Sequence, residues 1–350
     1  MHNPNILPLA LGLVIFAFLI TSVLVVPFID FLFKIKLTRR LEGGKSSKSL
    51  FDKLHDKKAG TPIGGGILLI GVVTVLFLFI LPLISRMGIF INSLYPLAPE
   101  KLIILFSFIS FGLLGLLDDF VKIFGKPKPG NLGAVFGLSK KVKFSLQVVL
   151  ALIIGFMLYR LLGINFIYIP IINTSLYLGP LYIPFAASII IFFVNAFNFT
   201  DGLDGLASGL LMIYLFAYII IAVTSIDTPL FVFLSLWLGS LIAFLYFNVW
   251  PARIWMGDAG ALSFGAMIAV IGLLIGNVTV LFVIGGLFVV EAASSIIQIL
   301  GWKILKRRIF PIAPIHHSFL AIGWEEPKIV ARAWLAGIIL AIFGLWLATI

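Results

Sequence analysis

The sequence contains no cysteine and few charged residues. Of its 350 residues, 11% are Asp, Glu, Lys or Arg, and only 14 are acidic. The absence of cysteine excludes disulfide bonds, thiolate catalysis and cysteine-ligated metal sites. Because soluble domains contain about 25% charged residues, this composition argues against a protein whose surface faces water.

Hydrophobic residues make up 61% of the chain, and its mean hydropathy is +1.20. Apolar runs of about 18 or more residues recur along the whole length, which is typical of membrane-spanning helices. We therefore predict an all-α fold, a polytopic integral membrane protein with about ten transmembrane helices. The predicted spans are 6–29, 62–84, 101–117, 144–162, 182–198, 206–225, 229–247, 260–276, 279–300 and 333–349.

Basic residues are concentrated in alternate loops between these spans. The first, third, seventh and ninth loops hold nearly all of the 25 Lys and Arg residues. Because basic loops stay in the cytoplasm, this pattern predicts that these loops are cytoplasmic and that both termini lie outside. The net charge of +11 then reflects topology and attraction to anionic lipid headgroups, and nucleic acid is not expected as a partner.

Five of the acidic residues lie at predicted cytoplasmic helix ends: Asp118, Asp119, Asp201, Asp204 and Asp258. Adjacent carboxylates such as Asp118 and Asp119 repel each other, and a cation relieves that repulsion. Mg²⁺ prefers such oxygen ligands together with phosphate and water. Lys122, one helical turn on, could neutralise an acid or meet a phosphate. The alternative is a solvated helix end with an internal ion pair.

The run from Asn198 to Gly205 ends one predicted helix and begins another. Its glycines permit close approach of the backbone to a ligand. Asp204 could simply cap the following helix, but capping explains only one residue of the run. The run therefore favours a binding function.

A second polar stretch connects two spans and contains Asn248, Trp255 and Asp258. Trp255 could be an anchor at the membrane interface or a stacking platform for a base. Asp258 could cap the helix that starts near Gly260.

Three further features lie near the predicted membrane surface or within a span. His316 and His317 are adjacent in the ninth loop, where phosphate binding or proton handling fits better than zinc. Lys58 precedes a glycine-rich helix start, which favours anion binding. Glu291 lies inside the ninth span, where an acid is a functional or structural hypothesis by default. Gln298 is one candidate for its partner.

Together these stretches resemble one family, the polyprenyl-phosphate N-acetylhexosamine-1-phosphate transferases, and within it the muramoyl-pentapeptide branch. The matching motifs, in the family's order, are Lys58 through Pro62, Asp118-Asp119 with Lys122, Asn198 through Gly205, Asn248 with Met256-Gly257-Asp258, Glu291, and Pro314 through His317. The resemblance implies a single transmembrane glycosyl-1-phosphate transferase domain over residues 1–350.

The resemblance also implies a reaction. The chain is expected to transfer phospho-MurNAc-pentapeptide from UDP-MurNAc-pentapeptide to undecaprenyl phosphate, giving lipid I and UMP in peptidoglycan biosynthesis. The expected location is the cytoplasmic face of the bacterial inner (plasma) membrane, the expected cofactor is Mg²⁺, and a homodimer is an assembly to consider. The alternative is transfer of GlcNAc-1-phosphate from UDP-GlcNAc. It stays open because Ser318 and Leu320 depart from the branch, which usually has a third histidine and an acid there.

The same resemblance implies the site residues. The expected catalytic residues are Asp118, Asp119, Asp258, Lys58 and His316, with Asp258, Asp118 and Asp119 as metal ligands. The expected substrate-binding residues are Lys122, Lys143, Asn198, Asp201, Gly202, Leu203, Asp204, Asn248, Trp255 and His317. The lysines would contact phosphates, the residues from Asn198 to Trp255 would line the uridine side, and the histidines would hold the diphosphate or sugar.

Two other classes fit less well. A CDP-alcohol phosphotransferase would need an Ala-Arg pair soon after Asp201-Gly202, but Ala207-Ser208 stands there. A transporter would place polar groups near the middle of the membrane, whereas the acids here lie at the rim, with Glu291 as the main exception.

Overall fold

The computed structural model describes residues 6–39, 60–87, 91–125 and 137–350. In these ranges the chain forms twelve α-helices and one antiparallel two-stranded hairpin. The helices are α1 (Ile6–Lys34), α2 (Gly65–Arg86), α3 (Leu97–Phe124), α4 (Lys140–Leu161), α5 (Tyr182–Thr200), α6 (Leu206–Thr224), α7 (Thr228–Asn248), α8 (Gly257–Ile275), α9 (Val278–Ile284), α10 (Gly286–Leu300), α11 (Ile315–Ala321) and α12 (Glu326–Ala348). The hairpin, β1 (Phe166–Ile169) and β2 (Thr174–Tyr177), lies between α4 and α5.

Within the described residues, ten helical segments are long and apolar enough to cross a membrane. This confirms the predicted all-α polytopic fold and its number of spans. The ninth span differs from the prediction of one helix over 279–300. The chain breaks at Gly285 into α9 and α10, and the candidate span is Gly286–Leu305. Two adjacent glycines weaken a helix, and hydropathy does not register such a break.

Several spans begin or end further out than predicted, and α3 and α12 differ most. α3 runs over Leu97–Phe124 rather than 101–117, and α12 over Glu326–Ala348 rather than 333–349. Hydropathy stops at the first charged residues, but a helix continues through them because its backbone bonds do not depend on side-chain polarity. As a result, Asp118 and Asp119 lie inside α3 instead of after it.

The bundle is built around α8. Of the most apolar 18 residues of α8, 89% are buried, against 28% in α1 and α12. Phe108 of α3 packs edge-on against Phe233 and Trp237 of α7, with ring centroids 5.2 and 5.3 Å apart, and stacks on Phe264 of α8. Such aromatic pairs add to the stability that burial gives. The outer helices therefore present their apolar faces to lipid.

Glycines let α2, α3 and α8 approach closely. A Cβ on Gly66 would lie 2.3 Å from the Cα of Gly260, and a Cβ on Gly115 would lie 2.0 Å from the carbonyl oxygen of Asp258. Small residues at helix contacts are typical of membrane bundles. This packing fixes the first turn of α8 against α3.

We call the end of the bundle where α3 and α5 end and α4, α6 and α8 begin the site end. The described basic residues concentrate there, as predicted. Only three lie at the opposite end, namely Arg86, Lys101 and Arg160. The charge asymmetry of the sequence is thus a charge asymmetry of the bundle, while the orientation of the termini stays a prediction.

The opposite end contains a buried carboxyl pair, Glu100 of α3 and Asp227 at the start of α7. The two carboxyl groups lie close enough to share a hydrogen bond. Ser93 donates its hydroxyl to Glu100. The backbone of Asn92 holds Thr228, donating to its hydroxyl at 3.1 Å and accepting from its N–H at 2.8 Å. The segment before α3 therefore covers the pair.

Candidate active site

Four charged side chains from α3, α4 and α8 meet at the site end, and we call Asp118, Lys122, Lys143 and Asp258 the Asp–Lys cluster. The Lys122 ammonium lies 3.0 Å from Asp118 Oδ2 and 2.7 Å from Asp258 Oδ2. The Lys143 ammonium lies 2.8 Å from Asp118 Oδ2 and also contacts Asp258 Oδ2. Each lysine bridges the same two carboxylates, so the cluster ties the three helices together.

The two carboxylates differ in accessibility. The Asp118 side chain is 2% exposed, whereas that of Asp258 is 16% exposed. Asp118 Oδ1 also accepts a hydrogen bond from the N–H of Leu138 at 2.8 Å. Asp258 is therefore the carboxylate that a ligand reaches first, and Asp118 lies behind it.

Asp119 is directed at the start of α8. Its Oδ2 accepts a hydrogen bond from the N–H of Ala259 at 3.0 Å, and the residue is buried. A Cβ on Gly257, which has φ +77°, would lie 2.7 Å from that oxygen, so the glycine makes room for the carboxylate. An acid at a helix N-terminus is favourable. Asp119 thus holds the turn that carries Asp258.

One side-chain hydrogen bond aligns α4 with α5. The Asn195 amide donates to Gln147 Oε1 at 3.0 Å. Lys143 is one turn from Gln147 and Asn198 is one turn from Asn195, both toward the site end because the two helices run in opposite directions. Asn198 therefore lies at the site end of α5, one turn beyond the contact with α4. Its amide nitrogen is buried and makes no hydrogen bond to any described residue.

The 201–205 loop lies between α5 and α6, and contacts from other parts of the chain hold it in place. The N–H of Asp204 donates to Glu326 of α12 at 2.7 Å, and its Oδ2 accepts from the N–H of Ala252 at 2.9 Å. The indole N–H of Trp334 donates to the carbonyl of Gly205 at 3.2 Å. Asp204, predicted to bind substrate, therefore also fixes the loop in place.

The same loop packs against the two histidines of α11. A Cβ on Gly202 would lie 2.4 Å from His316 Nε2 and 3.4 Å from His317 Nε2. Only a glycine leaves room for both rings there. Asp201 follows the end of α5, and Leu203 is buried. The structure thus brings the Asp-Gly run and the histidine motif together, although more than 100 residues separate them in the sequence.

Glu291 has His316 as its partner. Its Oε2 lies 2.9 Å from His316 Nδ1, and both residues are buried. The suggested partner Gln298 is wrong, because its amide bonds to the backbone of Ile309 and Phe310. That amide is needed where the helix ends and leaves backbone groups without helical partners.

Ser318, which departs from the family pattern, closes the loop before α11. Its hydroxyl donates to the carbonyl of Ile312 and accepts from the N–H of the same residue at 3.3 Å. Leu320 packs against the apolar core. Both departures therefore have a structural role outside the pair of imidazole rings.

Two predicted uridine-side residues lie between α7 and α8. Asn248 accepts from the Ser208 hydroxyl at 2.6 Å and donates to the carbonyl of Ile254 at 2.9 Å. The indole of Trp255 is largely buried, with the guanidinium of Arg39 5.2 Å from its ring centre. A cation over an indole is a favourable contact. Asn248 fixes the segment, and Trp255 links it to the chain before α2.

Lys58 lies outside the described residues, so its role stays a prediction. The other predicted site residues all lie at the site end. Three residues that the sequence analysis did not single out also hold this site: Gln147, Glu326 and Arg39. Gln147 had a usable signal, since a lone amide inside an apolar span is costly without a partner.

Asp118 and Asp258 suit a Mg²⁺ ion. Their carboxylates lie within hydrogen-bonding distance of each other, and Mg²⁺ usually takes one or two carboxylates and completes its shell with water and phosphate. Among the described residues, no group of three or more His, Cys, Asp or Glu side chains could hold a metal. The donor set therefore fits a cation shared with a phosphate ligand rather than a cage made only of protein.

Comparison with known proteins agrees with this geometry. Residues 101–276 match the family model described as glycosyl transferase family 4. The chain is 35% identical over 334 residues to a phospho-N-acetylmuramoyl-pentapeptide-transferase of Bacillus pumilus, covering 95% of this chain and 96% of the relative. It is 35% identical over 340 residues to that of Staphylococcus saprophyticus, covering 96% and 98%, and 34% identical over 313 residues to that of Bacillus subtilis, covering 89% and 91%. The chain therefore belongs to glycosyl transferase family 4 and, within it, to the phospho-N-acetylmuramoyl-pentapeptide transferases.

Proposed function

We propose that the chain transfers phospho-MurNAc-pentapeptide from UDP-MurNAc-pentapeptide to undecaprenyl phosphate, releasing UMP and forming lipid I. Family membership supports the proposal, and one structural observation carries it. The Asp–Lys cluster gathers opposite charges at one end of a ten-span bundle. A soluble nucleotide sugar and the phosphate of a lipid can meet only at a membrane surface, and their reaction depends mainly on positioning and charge neutralisation.

The site end is proposed to face the cytoplasm of the bacterial plasma membrane. The basic residues concentrated at this end support that orientation. They would also attract the anionic donor and the headgroup of the lipid acceptor. With ten spans, both termini would then lie outside.

Mg²⁺ is the proposed cofactor, with Asp258 and Asp118 as ligands, and it would neutralise charge on the diphosphate. Lys122 and Lys143 balance the two carboxylates of the cluster, so an incoming diphosphate adds negative charge that the lysines alone do not balance. The lysine side chains are more exposed than those of the acids, so their ammonium groups can turn toward phosphate oxygens. Asp119 keeps Asp258 in position through the start of α8.

The donor is proposed to lie between the Asp–Lys cluster and the histidines of α11. Asn198 offers a buried amide nitrogen at the site end of α5, which suits an oxygen of the nucleotide. The 201–205 loop and the segment of Asn248 and Trp255 would line the uridine. His316 and His317 would hold the diphosphate or sugar.

The test is UMP release by the purified full-length chain with undecaprenyl phosphate and Mg²⁺. UDP-MurNAc-pentapeptide and UDP-GlcNAc are supplied in separate reactions. We expect UMP and lipid I only with the muramoyl donor. Product from UDP-GlcNAc alone would instead assign the GlcNAc-1-phosphate reaction, and UMP release without the lipid acceptor would contradict the transfer.

A further inference from the structure

Glu291 is a buried acid within a membrane span, and its polar partner is a histidine. Its carboxylate lies 2.9 Å from His316 Nδ1, with side chains 6% and 1% exposed. In the described part of the chain, no Lys or Arg forms an ion pair with it. A buried acid is costly without a partner, so the contact with His316 is what offsets the cost of burying Glu291.

This contact determines where the hydrogen of the imidazole lies. A carboxylate only accepts hydrogen bonds, so Nδ1 must carry the hydrogen. The other ring nitrogen, Nε2, is buried and makes no hydrogen bond to any described residue. It faces the 201–205 loop, because a Cβ on Gly202 would lie 2.4 Å from it. His316 thus directs its Nε2 toward the 201–205 loop.

The backbone near His316 is held by a separate contact. The N–H of Ile315 donates to the Ser294 hydroxyl at 3.0 Å, and that hydroxyl donates to the carbonyl of Glu291 at 2.7 Å. The start of α11 therefore stays on α10 without the Glu291 carboxylate. Loss of the Glu291 carboxylate alone should therefore change where the hydrogen lies on the His316 ring, and it should leave the loop in place.

We propose that Glu291 is a positioning residue of the transferase, holding His316 with hydrogen on Nδ1 so that Nε2 faces the sugar-diphosphate of the donor. This inference rests on the proposed function of the site. The groups around the ring are Glu291 on α10, His317 on α11 with ring centroids 4.1 Å apart, and the 201–205 loop with Asp201 and Asp204. Of these, only Glu291 has a polar contact to Nδ1 among the described residues.

The first test reads the tautomer by ¹⁵N NMR of the full chain labelled at histidine. The chain has 4 histidines, and His316→Gln identifies the signal of interest. We expect hydrogen on Nδ1 of His316 in the unsubstituted protein. In Glu291→Gln we expect a mixture of the two tautomers, because the amide can accept from Nδ1–H or donate to Nδ1. Hydrogen only on Nε2 in the unsubstituted protein would overturn the proposal, even if the variant does not fold.

The second test compares kinetics of UMP release. Glu291→Gln should lower kcat about 10–100-fold, as loss of a group that orients a histidine does, and change KM less than about threefold. Glu100→Gln is the matched control, since it changes a buried acid at the opposite end of the bundle and should keep normal turnover. Kinetics of Glu291→Gln equal to those of the unsubstituted protein would overturn the role in transfer.

The two proposals fail separately. If the unsubstituted chain uses only UDP-GlcNAc, the muramoyl assignment fails, and Glu291→Gln is then compared on that donor. If the chain releases no UMP from either donor, the proposed function fails while the NMR signature still tests the position of the hydrogen.

Discussion

The two ends of α3 each place an acid against an aspartate of another helix, and they balance the charge in different ways. At the site end, Lys122 and Lys143 bridge Asp118 and Asp258. At the opposite end, no Lys or Arg in the described ranges contacts Glu100 or Asp227. Two carboxyl groups that hydrogen-bond to each other require a proton between them.

The difference separates a reactive arrangement from a structural one. Lysines can leave a carboxylate when a phosphate arrives, whereas a pair that shares one proton carries a single negative charge and has no lysine to release. Burial raises the pKa of Asp227 above its usual value, and burial also raises the pKa of the nearby Tyr95 to about 12. The opposite end therefore lowers its negative charge by binding a proton, whereas the site end balances its carboxylates with lysines.

The largest difference between the two ends is expected when an aspartate at each end is replaced by asparagine. Asp258→Asn should lower UMP release about 100-fold or more, because it removes the accessible carboxylate that would hold the cation. Asp227→Asn should leave turnover normal, since Asn also caps a helix. Retained activity of Asp258→Asn in folded protein would contradict the metal assignment.

Removing one lysine tests whether charge balance matters at the site. Lys143→Met should lower kcat about 10–100-fold, since it leaves Asp118 and Asp258 with one cation and removes the proposed phosphate contact. Lys101→Met, at the opposite end, is the control and should behave normally. Equal turnover of the two variants would show that the bridging lysine has no part in transfer.

Removing one member of the carboxyl pair should affect stability instead of activity. Glu100→Ala should lower the free energy of unfolding by about 1–3 kcal/mol, because Asp227 loses a buried hydrogen-bond partner. Glu100→Gln should cost less, since its amide can still bond to Asp227. Unfolding in detergent measures both, and turnover per folded molecule should not change.

The smallest expected effect is a pH dependence of stability. Because the pKa of Asp227 is higher in the folded protein than its usual value, the folded state binds more protons. Stability from this group is present at low pH and is lost as pH rises through its raised pKa, by up to about 1.4 kcal/mol per pH unit. Unfolding midpoints of Asp227→Asn should fall less with rising pH than those of the unsubstituted protein, and parallel curves would contradict the shared proton.

The sequence predicted contacts that are local and missed those that are distant. Asp118 and Lys122 are one helical turn apart, so their pairing could be predicted. Asp258 joins them from 136 residues away, and only the packing of α3 against α8 brings it there. Its motif was identified by resemblance, whereas its contact with Lys143 required the structure.

Other contacts were missed because the residues that make them are common at helix ends, where they need no distant partner. Glu100 reads as an acid in the first turn of a helix, and Asp227 reads as a helix cap, which it also is. Nothing local indicates that the two meet. The partner of Glu291 was equally hidden, because the helix break at Gly285 and the turn after Leu305 decide where His316 returns to α10.

α3 and α8 pack so closely at Gly115 that a larger side chain does not fit there. A methyl group at Gly115 would meet the backbone carbonyl oxygen of Asp258 at 2.0 Å, so Gly115→Ala would displace the backbone that carries the carboxylate without changing any charge. Hydropathy would rate that change as harmless within an apolar run. An uncharged glycine can therefore be as sensitive to a small mutation as a charged residue of the site, while the lipid-facing sides of the outer helices leave room for larger side chains.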